Sequence, residues 1–180
     1  MCNFEQSITT ETMTQEKLNK NIQAELFSTN QTTVIGAIHK IGEQGNKLYI
    51  PVLLDLLLLN KEKEVEKEII KLLGNIKDKT AVPVFIEALE TEKYNSIRKT
   101  ILTACWQNGL HYHDYLPILV SIVISDDWET AFEAFTVVDN MEFLPGNDII
   151  EQTKRIIAPE FENAGEQKRY FLQEILDKIS

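Results

Sequence analysis

The sequence predicts an all-α protein: a right-handed α-solenoid of about four helix–turn–helix repeats, with a capping helix at each end. Three observations carry this reading. Apolar residues recur at helical spacing along most of the chain, and no stretch alternates convincingly with period two. With only seven glycines and five prolines in 180 residues, these stripes are separated by short breaks. The stripes also repeat: Gly42 precedes Pro51 by the same interval as Gly74 precedes Pro83, and the two pairs are offset by 32 residues. One helix pair cannot bury its own apolar face, so a repeat of this length implies stacking on the next.

Taken in order, residues 1–13 are polar and rich in threonine and glutamate, and are expected to be disordered. Leu18, Ile22 and Leu26 then space out a first capping helix over 14–29. Repeats follow at about 31–60, 61–92, 93–126 and 127–160. The first two align "HKIGEQGNKLYIPVLLDLL" with "KLLGNIKDKTAVPVFIEAL". Within the second, Val65, Ile69, Leu72 and Leu73 form one face of helix A. In the third, Ile97, Ile101, Leu102, Ala104 and Cys105 stand 32 residues after Val65, Ile69, Ile70, Leu72 and Leu73, while Pro117 follows Pro83 by 34. The fourth copy is weaker, with Ile149 in the proline's place. Each proline falls in the first turn of helix B, where amides lack intrahelical acceptors. Thr80 and Asp114, three residues ahead, are expected to cap those helices. "NKEKE", "ETEKYN" and "SDDWE" read as polar connections. A capping helix over 165–179 buries Phe171, Leu172, Ile175, Leu176 and Ile179.

Composition removes several functions. A chain of this length with 43% hydrophobic residues can bury a core without disulfides or metal. A formal net charge of −10 argues against nucleic acid and anionic membrane surfaces. The most apolar run, "YIPVLLDLLLLN", contains Asp55 and is too short to span a bilayer. "MCNFEQSITTETMTQEK" lacks the basic and apolar regions of a signal peptide. Cys2 and Cys105 do not make a disulfide framework, so a cytoplasmic location is expected.

"CWQNGLHYHDY" (105–115) concentrates the residues with chemistry. Aligning the helix-A stripes sets Trp106 opposite Gly74 and places Cys105 on the buried face. The two extra residues of the third repeat then fall in a longer interhelical turn, with Asn108-Gly109 ending helix A. Zinc needs four protein ligands, or three plus water, and His111-x-His113 supplies two. Cys105 belongs to the core and Asp114 to a cap. These two histidines are therefore the nearest approach to a metal site, and neither metal nor cofactor is expected. His39 reads as a residue near a helix C-terminus. No phosphate loop, G-x-S-x-G or H-E-x-x-H is present.

"EVEKEIIKLLGNIKDKTAVPVFIEALE" (64–90), "LPILVSIV" (116–123) and "SIRKTIL" (96–102), with Arg98 near the start of helix A, resemble the HEAT-like repeat family of the armadillo type, in its compact bacterial form. The resemblance covers about residues 25–160. Glu66 stands where the family's arginine would be in the second repeat, and the fourth repeat lacks both glycine and proline. The W-x2-L-G-x2-Y signature of tetratricopeptide repeats is absent. The resemblance implies a binding surface on the B helices, which line the concave side in this family.

With the second repeat as template, Val82, Phe85, Ile86 and Leu89 are core, while Val84, Glu87, Ala88 and Thr91 point towards that side. The equivalents are Val52, Asp55, Leu56 and Leu59 in the first repeat, and Ile118, Ser121, Ile122 and Ser125 in the third. Val52, Asp55, Leu56, Leu59, Val84, Glu87, Ile118 and Ile122 are the candidate partner-binding residues. Two readings of this strip stand: a docking groove for a protein or peptide, or packing against neighbouring helices. The function expected is a non-catalytic interaction scaffold. One alternative is a homo-oligomeric structural protein, such as a symmetric dimer, that uses the same strip. The other is a pocket enzyme, because some HEAT-like proteins resemble bilin lyases, although no residues here carry such a reaction.

Overall fold

The computed structural model describes residues 17–44, 47–59 and 62–180. The segment expected to be disordered (1–13) and the expected start of the first helix at Thr14 lie outside the described residues. Ten α-helices and no strand occur among those described. They are α1 (Lys20–Leu26), α2 (Gln31–Gln44), α3 (Tyr49–Leu59), α4 (Lys63–Gly74), α5 (Val82–Glu90), α6 (Arg98–Asn108), α7 (Leu116–Ser125), α8 (Trp128–Asp139), α9 (Asn147–Phe161) and α10 (Glu166–Lys178).

The even-numbered helices stack in sequence, α2 on α4 on α6 on α8 on α10, with α1 covering α2. The odd-numbered helices α3, α5, α7 and α9 form the second layer of this all-α solenoid. Helix α10 thus takes the position that helix A of a fifth repeat would have. Between the layers lies one continuous core, in which Val65, Ile69 and Leu73 of α4 and Ile101, Leu102 and Cys105 of α6 are almost wholly buried. In α10, Phe171, Leu172 and Ile175 are buried and Leu176 is half-buried, and Ile179 is buried just past its end.

Local chemistry sets the helix ends. Asn19 caps α1, its side chain accepting from the Asn21 and Ile22 amides at 2.9 and 3.4 Å. Asp127 caps α8 by accepting from the Thr130 amide at 3.1 Å. Helix α6 ends on Gly109 at φ 63°, the left-handed conformation that glycine adopts without strain. Lysines from neighbouring repeats close other ends: Lys77 donates to the Asn108 carbonyl at 2.7 Å, and Lys178 to that of Asp139 at 2.7 Å.

Three local expectations are corrected. Thr80 does not cap α5. A 3₁₀ turn, Lys79–Ala81, precedes that helix, and Asp78 is its cap, accepting from the Thr80 amide at 2.9 Å. The Thr80 hydroxyl donates back to the same carboxylate at 2.7 Å. Asp114 caps nothing either; it lies exposed in the 3₁₀ turn His113–Tyr115. The "ETEKYN" connection is a 3₁₀ helix, Glu92–Ile97, that buries Tyr94. In the first two turns the proline that follows in the first turn of the helix has a fixed φ that suits a helix, and the residues ahead of it close in tighter 3₁₀ hydrogen bonding.

Candidate interaction surface

The second-layer helices repeat a pattern at equivalent positions. Leu56, Ala88 and Ile122 are exposed by only 4%, 5% and 6%, so this position packs between helices in all three repeats. Leu56 and Ile122 therefore face inward rather than into an open groove. Val52, Val84 and Ile118 form a second row, half-buried against the core. Asp55, Glu87 and Ser121 form a third, with Asp55 half-buried and the other two exposed. Leu59 ends α3 with 72% of its surface open. The structure thus brings together a ridge of polar side chains flanked by partly open aliphatic ones.

Asp55 is also committed internally. Its Oδ1 accepts from the Tyr94 hydroxyl at 2.7 Å and from Lys93 Nζ at 2.5 Å. Burial, and secondarily the bond to Asp55, raises the Tyr94 phenol well above its usual range, so it remains a donor. The first repeat is thereby tied to the 3₁₀ helix that opens the third. A comparable tie holds the third repeat: Arg98 donates to both carboxylate oxygens of Asp126 at 3.0 and 2.8 Å.

The stretch 105–115 is the end of α6 followed by a packed turn from Gly109 onward. Cys105, Asn108 and Tyr112 are buried, and Asn108 Nδ2 donates to the Tyr112 hydroxyl at 3.0 Å. Burial pushes the Cys105 thiol up to about 12, far from a thiolate nucleophile at neutral pH. His111 meets the edge of Phe143 at 5.1 Å, and its centroid lies 6.1 Å from that of His113. Among the described residues, no group of three or more histidine, cysteine, aspartate or glutamate side chains could hold a metal. His39 pairs with Glu68 at 3.1 Å across α2 and α4, and this hydrogen bond lowers the Glu68 pKa.

Two features went unread in the sequence. A cleft of about 520 Å³ opens beside α2, α3 and α4, floored by Ile38, Ile41, Ile50 and Leu53. The other is aromatic. Trp128 and Phe132 of α8 stack with centroids 5.8 Å apart and rings inclined by 18°, and are exposed by 47% and 43%. Tyr170 of α10, 58% exposed, lines the same groove. The signal was an i, i+4 aromatic pair facing a helix end whose stripe was already complete without Tyr170.

No described helix is long and apolar enough to cross a membrane. A search of the curated proteins finds no match. Among solved structures, the crystal structure of an engineered protein is similar at 16% identity and a TM-score of 0.42, over 90% of this chain and 97% of that one. The sequence profile of the HEAT repeats matches residues 22–106 and, overlapping them, 50–137. Those two matches span well over half of the chain, which therefore belongs to the HEAT-repeat family.

Proposed function

We propose that this chain is a non-catalytic interaction scaffold that binds an extended segment of a partner protein along its helix-B side. HEAT repeats are in general protein-interaction scaffolds. The observation that carries the reading is the repetition of one pattern, half-buried Val52, Val84 and Ile118 beside the more open Asp55, Glu87 and Ser121, in three successive repeats. A partner lying across the B helices would meet the same combination of aliphatic edge and polar ridge at each step. Leu59 adds an open apolar anchor at one end. Leu56 and Ile122 support the surface from beneath. Of the two ridge carboxylates, Asp55 is paired with Lys93 while Glu87 is exposed without an ion pair, so the ridge favours a segment that brings a donor or positive charge to Glu87.

The test is capture of partners from the native lysate, with wild type beside a Leu59→Asp/Glu87→Arg/Ser121→Arg variant. All three positions are exposed, so the variant should melt within about 4 °C of wild type. A protein held by wild type and lost by this folded variant is the expected result. Equal retention by both would remove the helix-B side as the binding surface.

A further inference from the structure

The groove between α8 and α10 has a construction different from the helix-B row and stands independently of it. Its lining is Trp128, Phe132, Glu166, Gln167, Tyr170 and Phe171. Phe171 is buried and stacks on Phe135 at 4.8 Å with rings inclined by 14°, so the floor is rigid. Trp128 and Phe132 leave nearly half of their surface open, and Tyr170 more than half. Aromatic surface of this size is not needed to close the core, because α10 already buries Leu172 and Ile175, and Ile179 just past its end. An exposed aromatic cluster on a folded domain is a mark of recognition.

We propose that this groove binds an arginine side chain presented by a basic segment of a partner protein. Three observations choose that occupant over an apolar helix or a second copy. Ring faces attract cations through their quadrupole, and a planar guanidinium stacks on them where an aliphatic group gains only area. The groove has its own carboxylate, Glu166, with Glu174 one turn beyond Tyr170. Neither has an ion-pair or hydrogen-bond partner among the described residues.

The nearby cations of the chain are already engaged. Lys168 donates to the Ile124 carbonyl at 2.8 Å and to that of Asp126. Arg169 donates to the Glu162 and Ala164 carbonyls at 2.9 and 3.1 Å, and Lys99 pairs with Glu129 at 2.5 Å. These bonds hold Lys168 and Arg169 at backbone carbonyls rather than at Glu166, so the groove combines ring faces that attract cations with a carboxylate that has no ion-pair partner among the described residues. A second copy would bring another chain of net charge −10 against it, which like-charge repulsion opposes.

The experiment is an NMR titration of the full chain with an acetylated, amidated Gly-Arg-Gly-Arg-Gly peptide, and with the same peptide carrying neutral citrulline for arginine. The indole N–H of Trp128 is the reporter. That of Trp106, which donates to Glu133 at 2.7 Å, is the internal control. The arginine peptide should shift Trp128 saturably and leave Trp106 in place. Its affinity should fall at least about fivefold in Tyr170→Ala and in Glu166→Gln, both exposed substitutions that leave the core intact. The citrulline peptide should not bind.

Equal binding of the two peptides, indifference to both substitutions, or no saturation below about 10 mM would overturn the proposal. So would a sedimentation experiment in which wild type is a dimer and Tyr170→Ala a monomer, because the groove would then seat a second copy.

Discussion

The Tyr94 hydroxyl donates to the Asp55 carboxylate at 2.7 Å, joining residues 39 apart in the chain. The bond crosses from α3 to the 3₁₀ helix ahead of α6, and so links the first repeat to the third past the second. Tyr94 is 7% exposed and Asp55 half-buried, so the bond is partly withdrawn from water. Tyr94→Phe keeps the ring packing and removes only the donor. It should cost about 1–2 kcal/mol in urea unfolding, while Glu87→Ala, an exposed position one repeat on, stays within about 0.5 kcal/mol of wild type.

The equivalent burial of Leu56, Ala88 and Ile122 separates packing from surface on the B helices. Leu56→Ala and Ile122→Ala should each lose about 2–5 kcal/mol, from transfer free energy and the cavity left behind. Leu59→Ala, three residues beyond Leu56 but open to solvent, should change stability by no more than about 0.5 kcal/mol. Chemical denaturation of the three variants side by side checks this. Equal losses at Leu56 and Leu59 would mean that α3 is rotated from the orientation described.

Glycines at two positions should respond with opposite signs. A Cβ at Gly36, inside α2, meets nothing within 4 Å. Gly36→Ala should therefore stabilise the protein by about 0.5–1 kcal/mol, through helix propensity and a less flexible unfolded chain. A Cβ at Gly109 also meets nothing, but its φ of 63° is strained for alanine. Gly109→Ala should destabilise by about 1–2 kcal/mol. Thermal melts of both variants give the two signs directly.

Acid stability should depend on the caps. The backbone and side-chain hydrogen bonds from Thr130 lower the Asp127 pKa, and those from Thr80 lower that of Asp78. A carboxylate lowered in the folded state stabilises it above the unfolded pKa, and that contribution is lost as pH falls through the folded value. The loss should therefore set in below about pH 4. Asp127→Asn retains a good capping residue without the titration. Its melting temperature should fall less steeply than that of wild type in this acid range, and the two pH profiles should run parallel above it.

The stacking of helices was legible because it rests on local periodicity: stripes such as Val65, Ile69 and Leu73, and the Gly-Pro spacing, depend only on residues within one or two turns. The αL end at Gly109 was legible for the same reason. What escaped was set by three-dimensional neighbours. No sequence pattern connects Asp55 to Tyr94. The inward turn of Leu56 and Ile122 differs from an outward one by a fraction of a helical turn, which a stripe of consecutive leucines or isoleucines cannot resolve. The cap falls at Asp78 instead of Thr80 because a 3₁₀ turn stands between Asp78 and α5, and such a turn leaves no mark in composition. The groove at Trp128 was hidden by its place in "SDDWE", where two aspartates suggested a simple connection. It emerges only when α10 brings Tyr170 opposite.

The central claim is that this chain acts through the helix-B side and not through a chemical site. Hydrogen–deuterium exchange of the chain, alone and with a partner captured from the native lysate, tests that most directly. Slowed exchange concentrated in α3, α5 and α7 is the predicted result. Protection confined to α2, α4 and α6, or none anywhere along the B helices, would contradict it.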